Sequence, residues 1–419
     1  MKTLDKNRGA RGAEAKGLSW RLKEVTFVFF LLFLFFLPLY EAPKNIFSVL
    51  FVFLGGWVAF YRENAAQRFR SKDLVAWAFL LLAISPFIAG WNSPYMDWPS
   101  RLSSALNWAL MPLVALVVLL VNFSKAQLLW ALRSLCLGAV VAVGEAFHSW
   151  SGTYPELNSV GHVNQSALYL AFCLIPATLL LMRYVSKLDL LLGLSCIFAV
   201  FSYQAPALSM VGFGTSLAVI GGMFSIYCWN RRHVKTLFVS LVSVVVMLSF
   251  AVTLPPQIFG PYEGFKRDFD MRLNSKTDPY SQRDRLVYTA IEVASDSFTG
   301  FGLGSFRVAT QPSEIKKLLS AQGRDWLVEQ GNYFFTSHGH NIFANVLVER
   351  GWAGIFSISI FLWYLAVRFF RTTRIEDHQI GIFVVALICL AGLGQSTLHV
   401  EHGQLALICL GLCLVLPEH

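Results

Sequence analysis

Residues 25–40 read VTFVFFLLFLFFLPLY, sixteen positions without one charge. The stretch is rich in Phe and Leu and shows no polar alternation, so it suits a helix in apolar surroundings and not a half-wetted strand. No small-residue cleavage site follows it, which identifies a retained anchor, not a removable leader. The same pattern recurs at 45–61, 73–91, 103–122, 126–147, 166–183, 188–204, 208–229, 235–254, 353–370, 379–396 and 403–417. Each stretch is near the roughly 20 residues a bilayer crossing needs. The whole chain agrees: 419 residues are 55% hydrophobic and only 14% charged, against about a quarter charged in soluble domains. The expectation is an all-α integral membrane protein of about twelve transmembrane helices.

The formal net charge of +9 invites a nucleic-acid reading, but the placement of the basic residues argues against it. Lys2, Lys6, Arg8, Arg11, Lys16, Arg21 and Lys23 occupy the N-terminal tail. Arg62, Arg68, Arg70 and Lys72, then Arg231, Arg232 and Lys235, then Arg368, Arg371 and Arg374 occupy short connections. With twelve spans and both termini cytoplasmic, all of these fall on one side, as the positive-inside rule requires. The short opposite-side links carry little beyond Lys44 and Arg101. The basic excess is therefore a topology signal, with a membrane-lipid partner and no nucleic acid. The chain divides into a cytoplasmic basic tail (1–24), nine spans (25–254), an external loop (255–352) and three spans (353–419). All seven cysteines fall inside expected spans, as small packing residues.

The loop is balanced, with eleven Lys/Arg and eleven Asp/Glu, and its patterning is helical. In YSQRDRLVYTAIEVASDSF (280–298), Ser281 and Asp284 have capping-box spacing, and Leu286, Val287, Ala290, Ile291 and Ala294 mark one face. GFGLGSF (300–306) ends that helix and turns the chain. SEIKKLLSAQGRDWLVEQ (313–330) predicts a second amphipathic helix, and Phe343, Val346, Leu347 and Arg350 predict a third.

Lys266, Arg267, Arg272, Lys276, Arg283 and Arg285 gather just before and at the start of the first loop helix. Arginines at a helix N-terminus suit phosphate, through the dipole, backbone N–H groups and guanidinium forks together; pairing with Asp268, Asp270 and Asp284 is the plainer alternative. SHGHN (337–341) sets His338 and His340 in the same loop, and an imidazole titrating near neutrality can accept a proton from an attacking hydroxyl. DFD (268–270) is flanked by Lys266, Arg267 and Arg272, which favours salt bridging over metal. Arg101, at the external start of a span, can snorkel or reach a ligand phosphate. Asn164, where GHVNQSALYLAF (161–172) enters a span, can bind a sugar or cap the helix. Arg133 and Glu145 lie about 18 Å apart along one helix and cannot pair with each other. His399, Glu401 and His402 form a short external link able to close over the same site.

HNIFANVLVERGWAG (340–354) resembles the His-Asn-x-aromatic…Glu-x-Gly-x-x-Gly signature of the O-antigen ligase and polymerase superfamily. QRDRLVYTAIEVASDSFTGFGLGSF (282–306) resembles the same family's Arg…aromatic…Ala stretch followed by Gly-x-Gly-x-x-Phe. GHVNQSALYLA (161–171) is similar to its Gly-x-x-Asn-x-x-Ala entry to a mid-chain span. The motifs are short; their order, and one large external loop late in the chain, carry the likeness. The resemblance implies a GT-C-type glycosyltransferase bundle in the bacterial inner membrane, with a periplasmic active site. It implies transfer of glycan from undecaprenyl diphosphate to a sugar hydroxyl of lipid A–core, without metal or other cofactor. Carried over, His338 or His340 is the base, and Arg283 or Arg285 binds the diphosphate, with Asn341 beside them. His338 is favoured because it precedes the helix and is less open to being spent on capping. Relatives place an arginine in a Ser-Arg-Gly-like context where this chain has ALSMVGFGTS (207–216); Arg101 or Arg267 would have to serve. An O-antigen polymerase uses the same donor and differs in acceptor. A transporter or flippase also fits twelve spans, but more usually shows broken helices and mid-membrane charge.

Overall fold

The computed structural model describes residues 21–61; 74–230 apart from 91–92, 94, 96, 122, 152–153, 184 and 208; 279–321 apart from 295–296; and 340–415 apart from 372–375 and 399. Fourteen helices are found among the described residues. They are α1 (21–36), α2 (Glu41–Tyr61), α3 (Val75–Ile88), α4 (Trp98–Val121), α5 (Lys125–His148), α6 (Val163–Met182), α7 (Lys187–Ala207) and α8 (Met210–Asn230). After the loop's first part come α9 (Pro279–Ala294), α10 (Phe306–Ala309), α11 (Pro312–Ala321), α12 (Ile342–Phe370), α13 (Glu376–Gly392) and α14 (Val400–Val415). Seven of these are long and apolar enough to cross a membrane. Every expected span except 235–254, which lies outside the described residues, coincides with a helix.

Helix α6 is central, with 83% of its apolar window buried, and packs against α5, α7, α8 and α14. Helix α14 also packs on α4 and α13. Lipid offers helices no hydrophobic drive to associate, so close packing must hold them. The Phe-rich opening stretch supplies some of it: Phe30 stacks on Phe51 at 4.6 Å and on Phe123 at 5.6 Å between centroids.

Helix α12 differs from expectation. The third loop helix and the span 353–370 are one element of 29 residues, with non-helical backbone at Gly351 (φ 61°, ψ −161°). Straight, 29 residues would run about 43 Å, well beyond a hydrocarbon core of about 30 Å. The kink divides a cap segment, 342–350, from a crossing segment, 352–370. The loop helices lie at this end of the bundle, called here the cap end.

The cap has its own small core: Ala290, Val293, Phe306, Ala309, Ala344 and Val348. Leu286, Ala290 and Ala294 are buried as the spacing predicts, but Ile291 is 44% exposed, and Val293 closes the face instead. Helix α9 begins at Pro279, two residues before the expected Ser281 cap; proline suits a first helical position because its missing N–H costs nothing there.

Candidate active site

The geometry starts from a clasp. At Gly351 the helix opens, and the amides of Phe301 and Gly302 take the carbonyls of Val348 and Glu349, each at 2.9 Å. Ala353 N donates to Phe298 O at 3.0 Å, and Gly90 N donates to Thr299 O at 3.0 Å. Gly304 N donates to the Glu349 carboxylate at 2.9 Å. A Cβ on Gly351 would stand 2.3 Å from Phe298 O, and one on Gly300 would stand 2.4 Å from Gly351 N. Both glycines have positive φ, 61° and 68°. Glycine is required twice over, for the backbone conformation and for the approach. The two stretches that carry the resemblance, GFGLGSF and HNIFANVLVERG, are thus bonded backbone to backbone.

The start of α12 is set by Asn341, whose Oδ1 accepts from Phe343 N at 2.8 Å and Ala344 N at 3.2 Å. Its Nδ2 donates to Leu393 O at 3.3 Å. Asn341, expected to bind substrate, has both side-chain atoms engaged, Oδ1 as the helix cap and Nδ2 on the Leu393 carbonyl. This removes the ground for preferring His338, since His340 is not the residue spent on capping.

His340 Nδ1 lies 3.0 Å from Gln395 Oε1. With that oxygen as acceptor, Nδ1 carries the proton and the lone pair of the neutral ring sits on Nε2. His340 is also the non-glycine residue with positive φ among the described residues, at 43°, a conformation that collects at functional sites. Asn345 Nδ2 donates to Ser396 Oγ, and His402 Nε2 meets Ser396 O. Lys44 and Glu401 form a buried ion pair. The expected closing link is therefore not a flap: Glu401 and His402 are each 1% exposed, in the first turn of α14, while His399 lies outside the described residues. Beneath the clasp, the Arg350 guanidinium lies 3.7 Å from the Trp108 ring centroid.

The connection 89–97 braces this end. Arg101 Nη1 donates to Gly90 O, and its guanidinium is 5.7 Å from the Trp98 ring. Tyr95 packs edge-on against Phe301 at 5.4 Å; burial, then the Glu314 carboxylate, raise its phenol above the ordinary value. The Ser100 hydroxyl and amide, by hydrogen bonding, hold Asp97 below the usual carboxylate range.

No protein-family model matches the chain, and no curated protein matches it.

The other expected residues fall as follows. Arg283 and Arg285 lie in the first half of α9, the helix that packs on α12. His338, Arg267, Arg272 and the DFD triplet lie outside the described residues. Asn164 is not the cap of α6: His162 is, with Nδ1 accepting from Asn164 N at 3.3 Å. Glu145 is held by Tyr40 Oη at 2.5 Å and Asn158 Nδ2 at 3.3 Å. Gln395 and Ser396 were not among the expected residues. The signal for them was GQST (394–397), a polar run just before a buried helix.

Proposed function

We propose that the chain is a membrane glycosyltransferase of the O-antigen ligase kind, a twelve-span GT-C-type bundle with both termini cytoplasmic and the cap periplasmic. It transfers glycan from undecaprenyl diphosphate to a sugar hydroxyl of lipid A–core. The observation that carries the reading is the clasp. Two stretches about fifty residues apart, each resembling one motif of that family, are bonded together, with His340 just before the first turn of the same helix.

In this reading the acceptor hydroxyl gives its proton to a histidine of the pair His338/His340 as its oxygen attacks the anomeric carbon. The bond from that carbon to the diphosphate oxygen breaks, and the electron pair leaves with undecaprenyl diphosphate. Arginines of α9, Arg283 or Arg285, meet the charge developing on the leaving group. Gln395 supports His340 for the base role by fixing the proton on Nδ1.

The test uses purified protein, undecaprenyl-diphosphate glycan and lipid A–core, with chelator present, beside His338→Ala and His340→Ala. Glycan on lipid A–core, abolished in one histidine variant, supports the reading and names the base. Elongated lipid-linked glycan in place of modified core makes the protein a polymerase. Full activity in both variants overturns the proposed mechanism.

A further inference from the structure

The link that joins α13 to α14 supplies the oxygen opposite His340 Nδ1. Gln395, Ser396 and Thr397 are all buried, so this link is packed into the bundle and not draped over it. Side chains from three helices fasten it. Asn341, the cap of α12, donates to Leu393 O at 3.3 Å, and Asn345, one turn on, donates to Ser396 Oγ. Thr397 Oγ1 reaches back to Ile388 O of α13 at 2.8 Å. From α14, His402 Nε2 meets Ser396 O. The turn that carries His402 is itself anchored, because its neighbour Glu401 is ion-paired with Lys44 of α2.

A carbonyl oxygen only accepts, so the contact with Ser396 O puts the His402 proton on Nε2. His340, facing the Gln395 amide oxygen, carries its proton on Nδ1. The two rings thus hold opposite tautomers, and consecutive residues of one link, 395 and 396, set them. Ser396 is gripped at its hydroxyl from α12 and at its carbonyl from α14. Gln395 is held on its other side, where its N–H donates to Ala391 O at 2.9 Å. Hydrogen bonds weaken steeply below about 120°, so a rotation of the peptide after Ser396, once His402 is gone, is enough to misalign Oε1. A neutral imidazole with no fixed partner divides its proton between both nitrogens, and its Nε2 lone pair is then present in only part of the population.

We propose that His402 is a positioning residue for His340: its Nε2–H holds the Ser396 carbonyl, which keeps Gln395 Oε1 on Nδ1 of His340 and the His340 lone pair on Nε2. The proposal rests on the base role given to His340 above, and adds the residue that secures that role from a different helix. His402 is buried and acts through the link, without touching substrate. It gives a use to a buried histidine that the transfer step otherwise leaves idle.

The test is nitrogen NMR of the full-length protein, isotope-labelled at histidine and held well above neutral pH, where protonated and bare ring nitrogens are told apart. His340→Ala and His402→Phe each remove one set of signals and so assign the two rings. Wild type is expected to show Nδ1–H at His340 and Nε2–H at His402. In His402→Phe, His340 should become a mixture of both tautomers. In His402→Gln, whose amide can donate from the place of Nε2, the Nδ1–H form should persist. Transfer to lipid A–core should fall about 3- to 10-fold in kcat in His402→Phe, with KM unchanged, and recover in His402→Gln. Nε2–H at His340 in wild type, or an undisturbed Nδ1–H in His402→Phe, overturns the proposal. Should His402→Phe fail to fold, a bare Nε2 at His402 in wild type, or loss of Nδ1–H at His340 in His402→Gln, overturns it instead. The expected tautomers without glycan transfer by wild type leave the positioning standing and remove the ligase reading. Glycan transfer by wild type that His402→Phe leaves undiminished does the reverse.

Discussion

Arg133 and Arg350 begin from the same arrangement and end in different ones. Each is a guanidinium stacked on tryptophan, 4.5 Å from the Trp130 centroid in one case and 3.7 Å from that of Trp108 in the other. Arg133 Nε donates to Asp189 at 2.7 Å, and its Nη2 reaches Ser186 Oγ at 3.4 Å. Asp189 is in turn bonded by the amide and hydroxyl of Ser186, each at 2.9 Å. That network closes on itself, as a structural ion pair must to repay its desolvation. Arg350 has two nitrogens without a partner among the described residues and sits at the end of an apolar groove. The contrast separates an arginine whose donors are met within the bundle from one whose Nε and Nη1 are not met among the described residues.

The strongest way to break the contrast is to move Arg350 without touching it. Gly351→Ala forces a Cβ onto a positive-φ residue whose nearest neighbour, Phe298 O, would be 2.3 Å away. Strain of this kind costs about 1–3 kcal/mol by itself, and a backbone-to-backbone overlap has no flexible side chain to yield. The expected outcome is a loss of about 4 kcal/mol in stability and of all transfer activity. Thermal unfolding in detergent and the transfer assay check the two.

Removing Arg133 comes next. Arg133→Met leaves Asp189, whose side chain is 1% exposed, buried without its cation, at a cost of about 3 kcal/mol. Adding Asp189→Leu should recover part of that, because the pair then leaves together. A double-mutant cycle on the unfolding midpoint measures the coupling. Arg350→Gln is expected to cost less, because what it abandons is the Trp108 face and the charge beside Glu349, not a hydrogen-bonded ion pair. If Arg350→Gln instead unfolds the protein as Arg133→Met does, the two arginines are alike and the contrast fails.

The same contrast shows what the sequence made legible. Spans were readable because each is apolar around its whole circumference over more than ten residues, a signal no local competitor mimics. Arg133 and Glu145 were readable as charges needing partners, but not with whom: Asp189 lies 56 residues on and Tyr40 lies 105 residues back. Arg350 was read as one position on an amphipathic face. Its stacking on Trp108 depends on how α12 crosses α4, and no spacing rule reports that. The third loop helix and the span 353–370 were read as separate elements, with a glycine between them of the kind that usually stops a helix. Here the amides of 301 and 302 take the freed carbonyls, and the chain resumes helix beyond it. The caps were the least secure part. Asn164 and Ser281 were sensible choices by residue type, yet His162 and Pro279 occupy the starts. Of the residues gathered at the start of α12, His340 and Asn341 were singled out in the sequence, and Gln395 was missed because it belongs to the link after α13, 55 residues away.

Gln395 gives the smallest expected effect and the finest division between structure and chemistry. With Oε1 as the acceptor, Gln395 sets the Nδ1–H tautomer of His340, and in the proposed mechanism it acts through the histidine as a positioning residue and not on the substrate. Gln395→Leu keeps the volume and removes the acceptor. If His340 is the base, transfer falls about tenfold in kcat with KM unchanged, because ground-state binding is not touched. Gln395→Glu, which offers an acceptor at the same place, restores most of the rate. A merely structural glutamine would lower the unfolding midpoint and raise KM as kcat falls, and glutamate, a charge set into a buried link, would rescue neither. If Gln395→Leu is silent in kcat while His338→Ala is inactive, the base is His338, and the strained backbone at His340 serves to aim the preceding residues.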